Sequence, residues 1–505
     1  MKRLDASVGS SLLTLGVIAA VGILLSLVTV VPNGSSATIS AGATRQTGPA
    51  QDQAQEEGPT AANGNPDQGS NGAIDGKSPT GPTKGIPSGP TKVPAGVQCA
   101  AGKNGGSTDV GVTDGSVKLA ATIVADGPGS SFLGPVRIAM NAVVNKVNSE
   151  KGGVCGRRLN LILRNDSWDA VRGQQYIQNF VESDKAFALA VVPSSEGLQA
   201  ADGYIRSHQI PVVGTDGMLK KQYGNPWIWP VATSTVSTMH IMAQDAYNRS
   251  AHTFGIVFDA KYHFGVEGAF AFNQAVKRLT GADILGFDPA LKSCELRFCG
   301  IQPGQPAYTN EAAKFNGKCF GNDANGQPCD FAAYLLEPDT AVSFLREARQ
   351  SLPRYGSGGA QPLFNRSFAE NCKSSCNGMW VWTGYNPPIE ALAGQPGVAK
   401  YVNDIRQESN SADPANQFLE GGYYGMTLLV TALEKVGPVL TRDNLRVALD
   451  SMVFDIGLSK PLSWKPGDHF ANRSSQAFEI NYTQTFNGWR QKTGFIEDPW
   501  VGQDL

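Results

Sequence analysis

The sequence predicts an α/β fold of two doubly wound lobes, each a parallel sheet covered by helices on both faces. Three observations carry this. Short apolar runs alternate with amphipathic stretches of helical period. The alternation runs once from residue 117 and again from residue 254, and every Phe, Trp and Tyr lies at or after Phe132. Parallel strands buried on both faces read as unbroken apolar runs and need a crossover between them, usually a helix. At 505 residues the chain has room for about two to three domains.

At the N-terminus, Lys2 and Arg3 precede an uncharged run at residues 12–31. As a helix that run spans about 30 Å, the thickness of a bilayer core, whereas the apolar part of a secretory signal is about 7–15 residues. It reads as an uncleaved transmembrane signal-anchor, with residues 1–11 cytoplasmic and the remainder outside. The small-residue triplet Ala41-Gly42-Ala43 keeps cleavage, and a secreted product, as the alternative. Residues 32–108 are rich in Gly, Pro, Ser, Thr and Ala and hold no aromatic residue, so they read as a disordered tether.

The body begins at residue 109. Residues 117–125 form an apolar strand that ends in Asp126, Gly127, Pro128 and Gly129. Phe132, Val136, Met140, Val143, Val144 and Val147 then make a helical stripe, closed by Gly152-Gly153. Strands at 159–163, 187–192 and 210–213 alternate with helices at 172–183 and 197–207. A second set follows: strands at 254–258, 331–336 and 379–382, and helices at 265–279 and 340–349. Residues 289–330 break the rhythm and read as a Cys-rich insertion. Phe478, Ile480 and Tyr482 alternate ahead of Asn487-Gly488, a hairpin-turn dipeptide.

All eight cysteines lie at or after Cys99. Cys294 and Cys299, Cys319 and Cys329, and Cys372 and Cys376 are close in sequence, leaving Cys99 and Cys155 for each other. An even count in an exported chain reads as four disulfides. A zinc site is the alternative, but there is no Cys-x-x-Cys and the histidines lie far from the cysteines.

The charges exclude some functions. Lys+Arg 42 against Asp+Glu 44 gives a net charge of −2, with no basic excess for nucleic acid. There is no Gly-x-Ser-x-Gly elbow and no phosphate-binding Gly-x-x-x-x-Gly-Lys loop. His263 and Glu267 are spaced for one helix face, but no third metal ligand is identifiable. The expectation is a protein that is not an enzyme and has no cofactor or metal.

Several segments, in order, resemble the type I periplasmic binding proteins of the leucine/isoleucine/valine-binding class. They are Asn148-Ser149-Glu150-Lys151-Gly152-Gly153-Val154-Cys155-Gly156-Arg157-Arg158-Leu159, Asn165-Asp166, Val192-Pro193-Ser194-Ser195, Phe258-Asp259-Ala260-Lys261-Tyr262-His263-Phe264-Gly265, Phe344-Leu345-Arg346-Glu347-Ala348-Arg349 and Gly457-Leu458-Ser459-Lys460-Pro461-Leu462-Ser463-Trp464. The likeness spans about residues 117–491. It implies two lobes joined by a hinge, with lobe 1 at 109–235 plus about 387–455 and lobe 2 at 236–386 plus about 456–505. It also implies a small-molecule ligand held between them, and an ABC permease or signalling membrane partner.

Carried over residue by residue, the resemblance gives Ser194, Ser195 and Thr215 to a ligand carboxylate and Tyr262 to the cleft from the second lobe. Trp168 is a cleft wall, with a lobe-packing role as the alternative, and Ser194 is equally an ordinary helix cap. In amino-acid binders an acidic residue from a later loop of the second lobe meets the ligand ammonium. The matching loop here, Asn365-Arg366-Ser367, has no carboxylate. Glu337 or Asp216 then substitutes, or the ligand lacks an ammonium, while Arg366 favours an additional anionic group.

Overall fold

The computed structural model describes residue 99, residues 104–215, 218–290, 294–320, 328–348 and 356–501, and residue 503. The expected anchor at 12–31, nearly all of the tether and Asp216 lie outside them. Among the described residues no helix is long and apolar enough to cross a membrane.

The first sheet is built from β1 (Ser116–Ile123), β2 (Arg158–Asn165), β3 (Ala188–Ala190), β4 (Val212–Val213) and β5 (Ile228–Trp229), all parallel in the order β2-β1-β3-β4-β5. Between them run α1 (Ser130–Leu133), α2 (Val136–Glu150), α3 (Ala170–Glu182), α4 (Ser195–His208) and α5 (Lys220–Tyr223). The stripe from Phe132 to Val147 is not one helix. Pro135 has no N–H to donate, and the chain breaks between α1 and α2 there.

The second lobe repeats the winding. Its strands β6 (Phe254–Asp259), β7 (Phe298–Ile301), β8 (Phe331–Leu335), β9 (Ser357–Gly359) and β10 (Trp380–Thr383) pair in parallel in the order β7-β6-β8-β9-β10. The helices are α6 (Thr235–Asn248), α7 (His263–Thr280), α8 (Thr309–Cys319), α9 (Pro338–Glu347) and α10 (Arg366–Cys372). Residues 289–330, expected as an insertion, instead supply β7 and α8, the second strand and its helix. The apolar run of β7 is only four residues long and is interrupted by Cys299 and Gly300, too short to register as a strand in the sequence. All four cysteine pairs are disulfides: Cys99–Cys155, Cys294–Cys299, Cys319–Cys329 and Cys372–Cys376.

The chain then returns to the first lobe with α11 (Pro396–Glu408), α12 (Gln417–Val436) and α13 (Arg442–Asp450). Both α11 and α12 pack on α2, and α12 also lies against β3 and β4. Its approach is close enough to need glycine on both sides. A Cβ on Gly214 would lie 2.3 Å from the Gly425 Cα, and one on Gly425 would lie 2.0 Å from the Gly214 carbonyl oxygen.

A short antiparallel pair, β11 (Val453–Phe454) and β12 (Leu462–Ser463), precedes the last hairpin of β13 (Ser474–Tyr482) and β14 (Phe486–Gln491), with β15 (Ile496–Glu497) also on β13. The hairpin turns at 483–485, not at Asn487-Gly488. Tyr482 pairs with Phe486 but Ile480 with Trp489, so the Asn-Gly dipeptide is taken up as a bulge inside β14, where Gly488 has φ 97°.

Three stretches carry the chain between the lobes, at 230–234, 384–395 and 464–473. The side chain of Asn472 ties them together. Its Nδ2 donates to the Val231 carbonyl (3.2 Å) on the first and the Gly384 carbonyl (3.1 Å) on the second. Thr233 Oγ1 donates to the Ser474 carbonyl at 2.6 Å, and Gln361 Nε2 to the Thr233 carbonyl at 2.6 Å. Asn472 is 2 % exposed, so water cannot replace it. Asn472→Ala leaves two buried carbonyls unpaired and is expected to cost about 1–3 kcal/mol of stability, read from urea denaturation.

Candidate functional site

Two loops at the carboxyl ends of strands, one in each sheet, face each other across the lobes. The loop after β2 presents Trp168, and the loop after β6 presents Tyr262. Their rings stack at 4.0 Å between centroids and 16° between planes. Phe132 meets the Trp168 ring edge-on at 5.6 Å, and Phe418 at the start of α12 lies 5.0 Å from Phe132. Phe264, two residues beyond Tyr262, lies 5.9 Å from Trp168. All five rings are buried.

The indole is held by a strained turn. Ser167 and Trp168 both adopt left-handed backbone, φ 52° and 61°. For non-glycine residues this costs about 1–2 kcal/mol each. The Asp166 carboxylate offsets this by accepting the Trp168 N–H at 2.9 Å, and Asn165 Oδ1 accepts the Ser167 N–H at 3.1 Å. Asn165 also accepts the Ala125 N–H (2.8 Å) and donates to Asp126 (2.9 Å), joining the loops after β1 and β2. Gly129, with φ +85°, makes room: a Cβ there would sit 2.7 Å from Trp168 Cε3. Trp168 Nε1 donates to Ser195 Oγ at 3.1 Å, which fixes the rotation of the ring.

Polar contacts also join the two lobes. Glu196, in the first turn of α4, accepts from the His263 N–H at 3.0 Å and pairs with His263 Nδ1 at 2.6 Å. Ser131 Oγ donates to Asp339 at 3.3 Å, and the Lys220 N–H donates to Glu267 at 2.7 Å. His263 and Glu267 thus serve the lobe interface. Among the described residues no group of three or more His, Cys, Asp or Glu is placed to hold a metal ion.

The residues singled out in the sequence divide into three groups. Trp168, Ser195 and Tyr262 come together as described. Ser194 and Thr215 lie deeper in lobe 1 with internal partners: Ser194 Oγ caps α4 by accepting the Gly197 N–H (3.3 Å), and Thr215 Oγ1 donates to the Val192 carbonyl (2.8 Å). Glu337 caps α9, its two oxygens accepting from the N–H groups of Asp339 (2.9 Å) and Thr340 (2.6 Å). Arg366 is away from the stack. It is exposed, pairs with Glu370 at 2.7 Å, and lines a groove of about 830 Å³ with Arg406, Asp413 and Trp489. The sequence reading missed Phe132, Glu196 and Phe418. Glu196 was the most accessible of these, since it follows Ser194-Ser195 at the same helix start.

The second-lobe side of the interface is acidic and poorly hydrated. Burial, with the nearby Glu337 charge, pushes the Asp259 carboxyl well above its ordinary range, and its Oδ1 has no hydrogen-bond partner. Burial raises Glu337, and burial with the Asp259, Glu337 and Glu196 charges raises the Tyr262 hydroxyl. Burial also pushes Glu267 up to about 7, which the Lys220 N–H only partly offsets. Because that value lies above the ordinary 4.5, the folded chain keeps a proton that the unfolded chain has lost. The associated stability is complete below pH 4.5 and is lost as the pH rises through about 7. Glu267→Gln removes this loss. Relative to the parent chain it should gain up to about 3 kcal/mol between pH 4 and pH 8, measured by urea denaturation across that range.

The family model described as periplasmic binding protein matches residues 116–293 and 307–487. No curated protein sequence matches the chain. Among solved structures, a fatty acid ABC transporter substrate-binding protein from Thermomonospora curvata is similar with TM-score 0.63 at 18% identity, over 78% of this chain and 95% of its own. A branched chain amino acid ABC transporter protein from Thermus thermophilus with bound valine gives TM-score 0.64 at 14% identity, over 76% of this chain and 98% of its own. A solute binding protein from R. palustris in complex with 4-hydroxybenzoate gives 0.61 at 13%, over 76% and 97%. With most of its body under that family pattern and the same winding in both lobes, the chain belongs to the periplasmic binding protein family and has the type I fold of its leucine/isoleucine/valine-binding members.

Proposed function

We propose that this chain is an extracytoplasmic solute-binding protein. It captures a small polar solute, an amino acid or related compound, between its lobes and presents it to an ABC-type importer. The observation that carries the reading is the meeting of strand-end loops from both lobes, through Trp168 on Tyr262 and Glu196 on His263. Ligands of open α/β sheets bind outside the carboxyl ends of strands, and here two such edges oppose each other. A solute touching both edges gains its second set of contacts only when the lobes close, so binding shifts the population towards the closed form. The importer then reads the closed surface. The apolar run at residues 12–31 would act as a signal-anchor that keeps the binding body on the outer face of the membrane.

The proteins of similar structure that hold valine and 4-hydroxybenzoate support capture of a small molecule. Direct contact between the Trp168 and Tyr262 rings favours a second reading. In that reading the cleft is filled by its own side chains, and the fold serves as a sensor or protein-interaction module without transport.

Thermal denaturation of the purified chain, first unfolded and refolded to strip bound solute, separates the two. At a concentration 100 times its dissociation constant, a captured solute should add about 2.7 kcal/mol and visibly raise Tm. A panel of amino acids, amides, polyols, short peptides, sugars, fatty acids and aromatic acids is expected to give one responding class. Silence across the whole panel would favour the interaction module.

A further inference from the structure

We propose that the groove lined by Arg366, Arg406, Asp413 and Trp489 is a second ligand site, and that it takes a neutral saccharide. The proposal goes beyond the solute-capture reading and does not rest on it, because none of the five buried rings at the meeting of the lobes lines this groove.

The aromatic wall is a product of the bulge in β14. Phe486 and Trp489 stand three positions apart, and in a regular strand they would point to opposite faces. Here they pair with Tyr482 and Ile480, which share one face of β13, so the extra residue of the bulge brings both rings to the same side. They meet edge to face at 5.5 Å, and both are half-buried and line the groove. Phe364 covers one face of the indole at 4.3 Å and holds it in place. Trp489 Nε1 is a donor without a hydrogen-bond partner among the described residues.

Polar groups of both signs share the groove with these rings. Arg406 on α11 is exposed and makes no hydrogen bond or ion pair among the described residues. Arg366 binds Glu370 through Nε, which leaves its two terminal nitrogens as donors. Asp413 Oδ1 accepts the Ala415 N–H at 3.0 Å, which leaves Oδ2 as an acceptor. Asn487 of the bulge adds an amide, and Glu390 a second carboxylate. The two guanidiniums and two carboxylates of the lining balance, so an ion finds no excess of opposite charge there. A purely apolar solute would take water from these groups without replacing its hydrogen bonds. A sugar ring answers both parts of the lining. Its C–H face lies on the aromatic pair, and its hydroxyls donate to the carboxylates and accept from the guanidiniums. The groove volume of about 830 Å³ is that of a small-molecule site.

The test is titration calorimetry on the full chain. Glucose, N-acetylglucosamine, maltose, cellobiose and trehalose are set against leucine, benzoate and sulfate. Trp489→Ala removes the platform and Trp489→Phe keeps an aromatic face. Arg406→Gln changes an exposed side chain that holds nothing in the fold, so it reads the site even where Trp489→Ala misfolds. Tyr262→Ala alters the meeting of the lobes instead. The expected result is that at least one saccharide binds. Its affinity should fall about tenfold or more in Trp489→Ala and about fivefold or more in Arg406→Gln, and stay within about threefold in Trp489→Phe and Tyr262→Ala. Binding of no saccharide, sulfate binding more tightly than every saccharide, or saccharide affinity unchanged in Arg406→Gln would overturn the groove site and leave solute capture standing. Saccharide binding lost in Tyr262→Ala and kept in Trp489→Ala would overturn it too, by placing the sugar between the lobes.

Discussion

Everything about the cleft depends on the way three chain crossings are fastened to one another. Asn472 bonds the first and second crossings from the third, and Thr233 bonds back to Ser474 just beyond it. These bonds are buried and join backbone to side chain, so they hold the crossings together as one strap. Trp464 and His469 extend the strap into lobe 1 through the carbonyls of Pro230 and Ile228. Two sheets whose parallel strands follow the same order, the second extended by antiparallel β13 and β14, then present their carboxyl edges to each other. The loops that carry Trp168 and Tyr262 meet because the strap puts those edges opposite.

The two lobes invest differently in that meeting. Lobe 1 supplies a rigid wall. The loops after β1 and β2 are bonded through Asn165 and Asp126, the loop after β3 through Ser195, and α12 presses on the same corner through Phe418. Lobe 2 supplies charge that is poorly solvated. Asp259 and Glu337 are spent largely on the backbone N–H groups of Glu337, Asp339 and Thr340, which orders the loop at the end of β8. A stiff wall on one lobe thus faces an ordered acidic edge on the other.

The sequence was informative where a single element carries its own signature. The two rounds of apolar run and helix were legible from residue 117, because parallel strands are buried on both faces. The pairs Cys294–Cys299, Cys319–Cys329 and Cys372–Cys376 were legible from their short separations. It misled where an element is too short or a signal has two uses. β7 is four residues long beside a disulfide, so the stretch around it looked like an insertion. Asn487-Gly488 is a turn signal that the chain uses for a bulge. Phe132 continues the stripe of α2 in sequence, yet Pro135 separates it onto α1.

By itself the sequence determined the winding of the lobes, the cysteine inventory and the residue types at the strand ends, because these follow from burial, period and turn chemistry along a local stretch of chain. Only the tertiary structure decided which of those residues share a site. Ser194 caps α4, the alternative its sequence position also offered, Glu337 caps α9, and Arg366 faces a separate groove. Trp168 and Tyr262 are 94 positions apart in the chain and stack because the crossings bring two sheet edges together. No local pattern encodes a contact set by the docking of two lobes.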